Sequence, residues 1–248
     1  MIKPAPILLL CASLAFALVL PEAARAQGFS SSSWSHSSRQ EHRSMEHTTM
    51  ELRIGSYTPD TGSSAFSQIF GGDSGPMIAL EIDAHLFRIP HVGIVGLGLS
   101  AGFARYRGRS CTVAGDGSPV CGGSGANGGE KAKLLLLPVS TMAVLRVDAL
   151  ARDFGIPFIF SGKLGLDTIF FRSRTGGRVD GEGKTFGLRW GLQVALELDF
   201  LDMRAARALD EDWGINHSFI FFELYGSTAN STMALGDRTF AGGLGMTF

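Results

Sequence analysis

The chain has 248 residues, 22 Lys and Arg against 23 Asp and Glu, and a formal net charge of −1, so nothing in its charge points to nucleic acid. Its 33 glycines stand well above an average share of ~7%, and together with 18 phenylalanines they suit strands and turns better than helices. No apolar run after Leu20 reaches the ~20 residues a spanning helix needs, so any membrane passage by the mature chain is made with strands.

Residues 1–26 have the layout of a secretory signal peptide: Lys3 near the front, an apolar stretch from Ile7 to Leu20, and Ala24-Arg25-Ala26 as a cleavage site. The rival reading, a membrane anchor, asks for a longer apolar core. Cys11 follows Leu10, where a lipoprotein signal needs a small residue, so no lipid anchor is expected and cleavage falls before Gln27. About 222 residues remain, enough for one ordinary domain or one closed barrel. Residues 27–48 are rich in Ser and His without periodicity and read as a disordered lead-in. His36, His42 and His47 could bind a metal, but at this spacing they read as solvated, and no metal or cofactor site is expected.

From residue 49 the pattern changes. "MELRIGSY" sets Leu52 and Ile54 opposite Glu51 and Arg53. "MIALEIDAHLF" puts Ile78, Leu80, Ile82, Ala84 and Leu86 on one face and Ala79, Glu81, Asp83 and His85 on the other. After a "RIPH" turn, "VGIVGLGLSAGFARY" lines up Val95, Leu97, Leu99, Ala101 and Phe103 opposite small residues. The polar, glycine-rich stretch that follows carries Cys111 and Cys121. An exported chain meets oxidants, so the pair is expected to form a disulfide; a metal site would need more ligands, and no His is near. "KLLLLPVSTMAVLRV" is the fourth candidate strand, with Pro138 a misfit in a closed sheet unless it marks a bulge. A turn near Asp153 leads to "IPFIFSGKLGLDTIFF", where Phe158, Phe160, Leu164, Leu166 and Phe170 oppose Ser161, Lys163, Gly165 and Asp167. The clearest strand runs from Phe186 to Phe200, an unbroken apolar row against Gly187, Arg189, Gly191, Gln193, Ala195, Glu197 and Asp199, which helical spacing cannot produce. "MRAARALDED" reads as a short helix. "INHSFIFFELY", with Glu223, and the terminal run "RTFAGGLGMTF" complete eight strands.

Alternation alone also fits a soluble sandwich. Three features favour an eight-stranded antiparallel up-and-down transmembrane barrel over residues 49–248. The sixth strand, at about 15 residues, exceeds the ~5–6 usual in sandwiches. Its uncharged row faces outward while the other row is polar, as in outer-membrane barrels. The links 59–75, 107–132, 172–184 and 227–236 are long or glycine-rich, whereas those near 88–91 and 148–155 are short; only the link 201–213 breaks the alternation, and it holds the helix between strands six and seven. An even strand number puts both termini on the periplasmic side. In so narrow a barrel the inward side chains fill the lumen. Glu81, Asp83, His85, Lys163, Asp167, Arg189, Glu197 and Glu223 are therefore expected to form a paired polar network there.

The last residues resemble the C-terminal assembly signal of bacterial outer-membrane barrels, a final aromatic preceded by apolar residues at every second position. The resemblance implies that Phe240, Leu244, Met246 and Phe248 are read by the barrel insertion machinery; Gly242 departs from it by being small. Only three Tyr and three Trp are available for aromatic girdles, so Phe would substitute. "ELRIGSYTPD", "ALEID" and "RALDEDWGINHSFIFFELY" are similar to a family of small, uncharacterised outer-membrane barrels known from myxobacteria, which implies the fold and the location but no activity.

Three functions follow as expectations. The first is a non-enzymatic barrel in outer-membrane lipid, with a filled lumen and loops that contact the surroundings or stabilise the envelope. The second is a lipid-modifying enzyme of the kind found among small barrels; "NHSFIFFE" holds His217, Ser218 and Glu223, but the adjacent His and Ser point to opposite faces of a strand, out of reach of each other. The third is a narrow pore or small-ligand transporter lined by Glu81, Asp83, His85 and Arg189. "LDEDWG" could meet periplasmic partners, and "GGDSGP" lacks the lysine of a phosphate loop.

Overall fold

The computed structural model of the chain describes residues 46–61, 64–72, 74–113, 119–120, 129–231 and 234–248. The signal peptide, the lead-in up to residue 45 and Cys121 lie outside these residues, so the expected cleavage and the Cys111–Cys121 pairing do as well. Eight strands make the sheet: β1 Thr48–Tyr57, β2 Gly75–Ile89, β3 Gly93–Arg109, β4 Lys131–Val147, β5 Phe158–Thr175, β6 Arg178–Glu197, β7 His217–Ser227 and β8 Asp237–Thr247. Each pairs antiparallel with its neighbours in sequence. β1 also pairs with β8, from Thr49 opposite Thr247 to Gly55 opposite Ala241, and this seam closes the barrel. A two-residue hairpin, Thr112–Val113 against Pro119–Val120, stands in the β3–β4 link.

The period of two fixes which residues meet what. Outward rows are apolar over the middle of every strand: Leu164 is 64% exposed, Leu192 61%, Ile54 60% and Leu97 56%, with Leu188, Phe222 and Phe240 similar. Inward rows are buried and mixed. β8 shows how the two rows fit. Its outward side chains are Phe240, Leu244 and Met246, while Gly243 and Gly245 face in. A Cβ on Gly243 would stand 2.7 Å from Cζ of the Phe221 ring, and one on Gly245 would run into the ring of Phe219. The two inward phenylalanines of β7 lie where the terminal strand has no side chains.

Among the described residues three helices join strands. α1 (Ser64–Phe70) lies in the β1–β2 link, and α2 (Ala149–Asp153) lies between β4 and β5. From the sequence, a loop is expected at the first of these and a turn at the second. α3 (Met203–Trp213) lies between β6 and β7 as expected. Asp202 starts it by accepting hydrogen bonds from the amides of Arg204 at 2.9 Å and Ala205 at 3.1 Å. Gly214, at φ 67°, ends it in the left-handed conformation.

Three expectations need correction. The link 172–184 is not a loop. β5 and β6 continue through it to a two-residue turn, Gly176-Gly177, at φ 60° and 90°. Positive φ at both positions is what a tight hairpin with the native twist requires. Pro138 marks no bulge either. The β3–β4 register is the same on both sides of it, Ala101 opposite Val139 and Ala104 opposite Leu136, and only the intervening ladder pairs are lost. The proline ring points inward against Gly102, where a Cβ would be 3.0 Å from the proline Cγ. β6 also ends at Glu197, before the expected Phe200.

Candidate functional site: the barrel interior

The inward residues of β1, β2, β5 and β7 carry most of the charge at mid-barrel. Register sets Glu51 opposite Glu81, and Gln193 opposite Glu223. The two long cations face small partners: Arg53 opposes Ala79 and Gly243, and Lys163 opposes Gly191. That spacing lets both chains cross the lumen. Arg53 Nη2 lies 2.8 Å from Glu51, 2.6 Å from Glu81 and 3.1 Å from Glu223. Lys163 Nζ lies 2.9, 2.6 and 3.7 Å from the same three carboxylates. Gln193 donates its amide to the other oxygen of Glu51 at 2.9 Å, and the Arg53 guanidinium stands 5.9 Å from the Phe221 ring centroid. All five charged groups are buried. Isolated charges at such depth would be intolerable; two cations shared among three carboxylates with short hydrogen bonds are not.

On the side of this cluster away from the termini the lumen turns aromatic and apolar. Tyr57, Tyr225, Leu136, Ile169 and Leu235 are at most 1% exposed. Tyr57 donates to the carbonyl of Leu235 at 2.5 Å, Tyr106 donates to the carbonyl of Tyr57, and Tyr225 donates to Asp237 at 3.2 Å. Arg189 stacks on Tyr225 at 4.5 Å, and Ser140 donates to Asp167 at 2.8 Å. Phe66 of α1 closes this end, 5.1 Å from the Tyr106 ring. Towards the termini, Arg146 donates to Thr49 at 3.0 Å and covers the Phe219 ring at 4.5 Å. A cavity of about 10 Å³ lies here among Thr49, Glu51, Asp83, His85, Arg146 and Ser161, about room for one water.

The mouth beside the termini is an ion-pair lattice. Arg88 joins Glu46 at 2.9 Å and Asp148 at 2.8 Å; Arg152 joins Glu46 at 3.1 Å and Glu197 at 3.4 Å. His217 hydrogen-bonds Asp199 through Nδ1, and its Nε2 lies 3.3 Å from Glu46. Glu197, Asp199 and His217 bring donor atoms within 4.8 Å of one another, a set that could hold a divalent cation. Two of the three already have partners: Arg152 lies 3.4 Å from Glu197, and His217 hydrogen-bonds Asp199.

Burial alone would raise the Glu46 carboxyl. The hydrogen bond from His217 and the charges of Arg152, His217 and Arg88 outweigh it and hold the group at about 2. A carboxyl lowered from its ordinary value stabilises the fold above that value and loses the effect as pH falls towards 2. The urea midpoint of the folded barrel is therefore expected to fall between pH 4.5 and 2, and to fall less steeply in Glu46→Gln. Identical slopes in the two proteins would contradict the clamp.

Of the eight residues expected in one network, Glu81, Lys163 and Glu223 meet in the central cluster, with Asp83 buried beside it. Asp167 and Arg189 lie on its far side, in the aromatic layer. His85, half-buried and 2.8 Å from Thr49, and Glu197 lie near the terminal mouth. Glu51 and Arg53 are not among these eight, although their parity in "MELRIGSY" opposes the outward Leu52 and Ile54. His217 and Ser218 do face opposite ways: His217 is buried, and Ser218 sits beside the outward Met246.

The fold defines a class, the closed eight-stranded antiparallel barrel with a filled interior. A scan against protein-family models finds no match, and neither does a comparison with curated proteins, so the likeness to myxobacterial barrels stays a resemblance. Several solved structures are similar. Neisserial surface protein A shares 10% identity at a TM-score of 0.45, over 81% of this chain and 96% of its own. The N-terminal β-barrel domain of Pseudomonas aeruginosa OprF shares 12% at 0.44, over 82% and 100%. Ail, the attachment invasion locus protein of Yersinia pestis, shares 11% at 0.42, over 82% and 99%. Each is a likeness of the barrel, and none assigns an activity or a ligand to this chain.

Proposed function

We propose that the chain is an integral barrel of a bacterial outer membrane, exported by residues 1–26, with both termini periplasmic and no catalytic role. One observation carries the reading: a continuous outward apolar surface surrounds an interior packed shut with ion pairs and aromatic rings. Water does not tolerate an apolar surface of this extent on a monomer, and a closed sheet is one of the two backbones that lipid accepts. The barrel acts as a plugged scaffold that presents the links after β1, β3 and β7 outside the cell, with the β3–β4 link clamped by Cys111 and Cys121.

The carbonyl of Phe248 accepts from His47 at 2.6 Å and Thr48 at 3.0 Å, so the final residue completes the β1–β8 seam beside the outward Phe240, Leu244 and Met246. We assign these four side chains to recognition by the insertion machinery. Among the described residues the two ring nitrogens of His217 meet the carboxylates of Asp199 and Glu46, which does not favour the enzymatic reading.

Planar-bilayer recording of the refolded protein tests the plug. The expected result is no steady conductance above the bare membrane. Discrete open steps of a fixed size would overturn the filled lumen and favour the pore.

A further inference from the structure

The outward face is apolar around most of the barrel, but on three adjacent strands it changes sharply at the end away from the termini. β3 carries Arg105, Arg107 and Arg109 on its outward row, β4 carries Lys131 and Lys133, and β5 carries Arg172 and Arg174. The register stacks them side by side. Arg107 stands directly opposite Lys133, Lys133 opposite Arg174, and Arg109 opposite Lys131. Like charges directly opposed across strands repel. Arg172 has a partner in Glu182 at 2.9 Å. Among the described residues, Arg105, Arg107, Lys133 and Arg174 have no carboxylate partner.

These cations frame a depression of about 220 Å³. Arg105, Lys133, Arg172 and Arg174 form its walls, and Phe103 and Leu135 line its apolar side. The row immediately towards the termini is hydrocarbon-like, with Phe103 and Phe170 exposed. On β3 the outward apolar stretch from Val95 to Phe103 runs about 27 Å along the strand before Arg105, about 21 Å of barrel height at a tilt of ~40°, against an apolar band of ~25 Å. The charges therefore begin where that band ends. Elsewhere at this end single cations lie over aromatic rings, Arg238 over Trp190 and Lys184 over Phe186, and the described residues form no comparable cluster there.

We propose that this depression on β3, β4 and β5 is a binding site for the phosphorylated head group of an outer-leaflet lipid, whose acyl chain lies against Phe103 and Leu135. The inference rests on the membrane reading above. Clustered guanidinium and ammonium groups with unmet charge suit a phosphate monoester, which offers several acceptor oxygens and up to two negative charges. The apolar floor, continuous with the lipid-facing belt, favours a lipid over a soluble anion. An anion held between Lys133 and Arg174 also removes the repulsion that the register builds in.

The test is native mass spectrometry of the full mature protein, refolded into phosphatidylcholine bilayers with and without bisphosphorylated lipid A, then released into mild detergent. The expected result is one retained lipid A per barrel. Retention should drop about tenfold or more for lipid A stripped of phosphate, and for Arg105→Gln/Lys133→Gln/Arg174→Gln in the same bilayers. The dephosphorylated lipid needs no variant, so a folding defect in the triple variant does not obscure the outcome. Equal retention of both lipids, or none of either by a barrel that has inserted, overturns the site and leaves the membrane reading intact. Displacement of lipid A by inositol hexakisphosphate at matched phosphate concentration overturns the lipid in favour of a soluble polyanion. Failure to insert into any bilayer overturns the membrane reading, and this site with it.

Discussion

Replacing Lys163 by methionine is expected to destabilise the folded barrel by roughly 3–5 kcal/mol. Lys163 lies within 2.9 Å of Glu51 and 2.6 Å of Glu81, and all three groups are buried. Methionine has a similar length and adds no clash, so the cost comes from the charge: Arg53 alone would face three carboxylates. Removing one of them should return much of the loss. The double variant Lys163→Met/Glu81→Gln is expected to be more stable than Lys163→Met, because Arg53 then faces two buried carboxylates and a neutral amide instead of three carboxylates. Urea titration in bilayers, followed by the gel mobility of folded against unfolded chain, reads both. A Lys163→Met protein within ~0.5 kcal/mol of the parent, the range of an unremarkable surface change, would mean that the cluster is not what ties the strands together.

The second large effect lies on the outward face. Leu192→Arg places a guanidinium at a side chain that is 61% exposed at the middle of β6. In water such a change costs within about 0.5 kcal/mol. At the midplane of a bilayer it costs about 2–4 kcal/mol. The second figure is expected, with Lys184→Leu, farther along the same strand, close to neutral. A neutral Leu192→Arg would say that water, not hydrocarbon, meets this face.

The strands are legible because their period is two and the middle of each outward row holds no charge. Phe186 to Leu196 could be read directly. The interior was harder, because parity says that a residue faces in but not how far along the barrel axis it lies. Glu81, Asp83 and His85 share one row. Register then sends them to different depths, Glu81 to the central cluster and His85 to the terminal mouth. Glu51 and Arg53 carried the right parity but belonged to a short, weakly marked strand, and their role depends on the β1–β8 seam, which no local pattern announces. The β5–β6 turn was missed for another reason. Polar residues past Phe171 look like a loop, yet two adjacent glycines between strand-like runs are a hairpin signal. α1 was also marked, by Phe66, Ile69 and Phe70 at helical spacing, but its role as a lid became apparent only once Tyr106 lay beneath it.

The most direct measurement is the accessibility of nitroxide labels on the outward row to oxygen and to a water-soluble nickel chelate. Labels at Leu97, Leu164, Leu192 and Leu244 in the bilayer-inserted protein, in a background with Cys111 and Cys121 changed to serine, should collide with oxygen and be shielded from nickel. A label at Arg107 should show the reverse. Ready access of nickel to the four leucine positions would contradict a barrel surrounded by hydrocarbon.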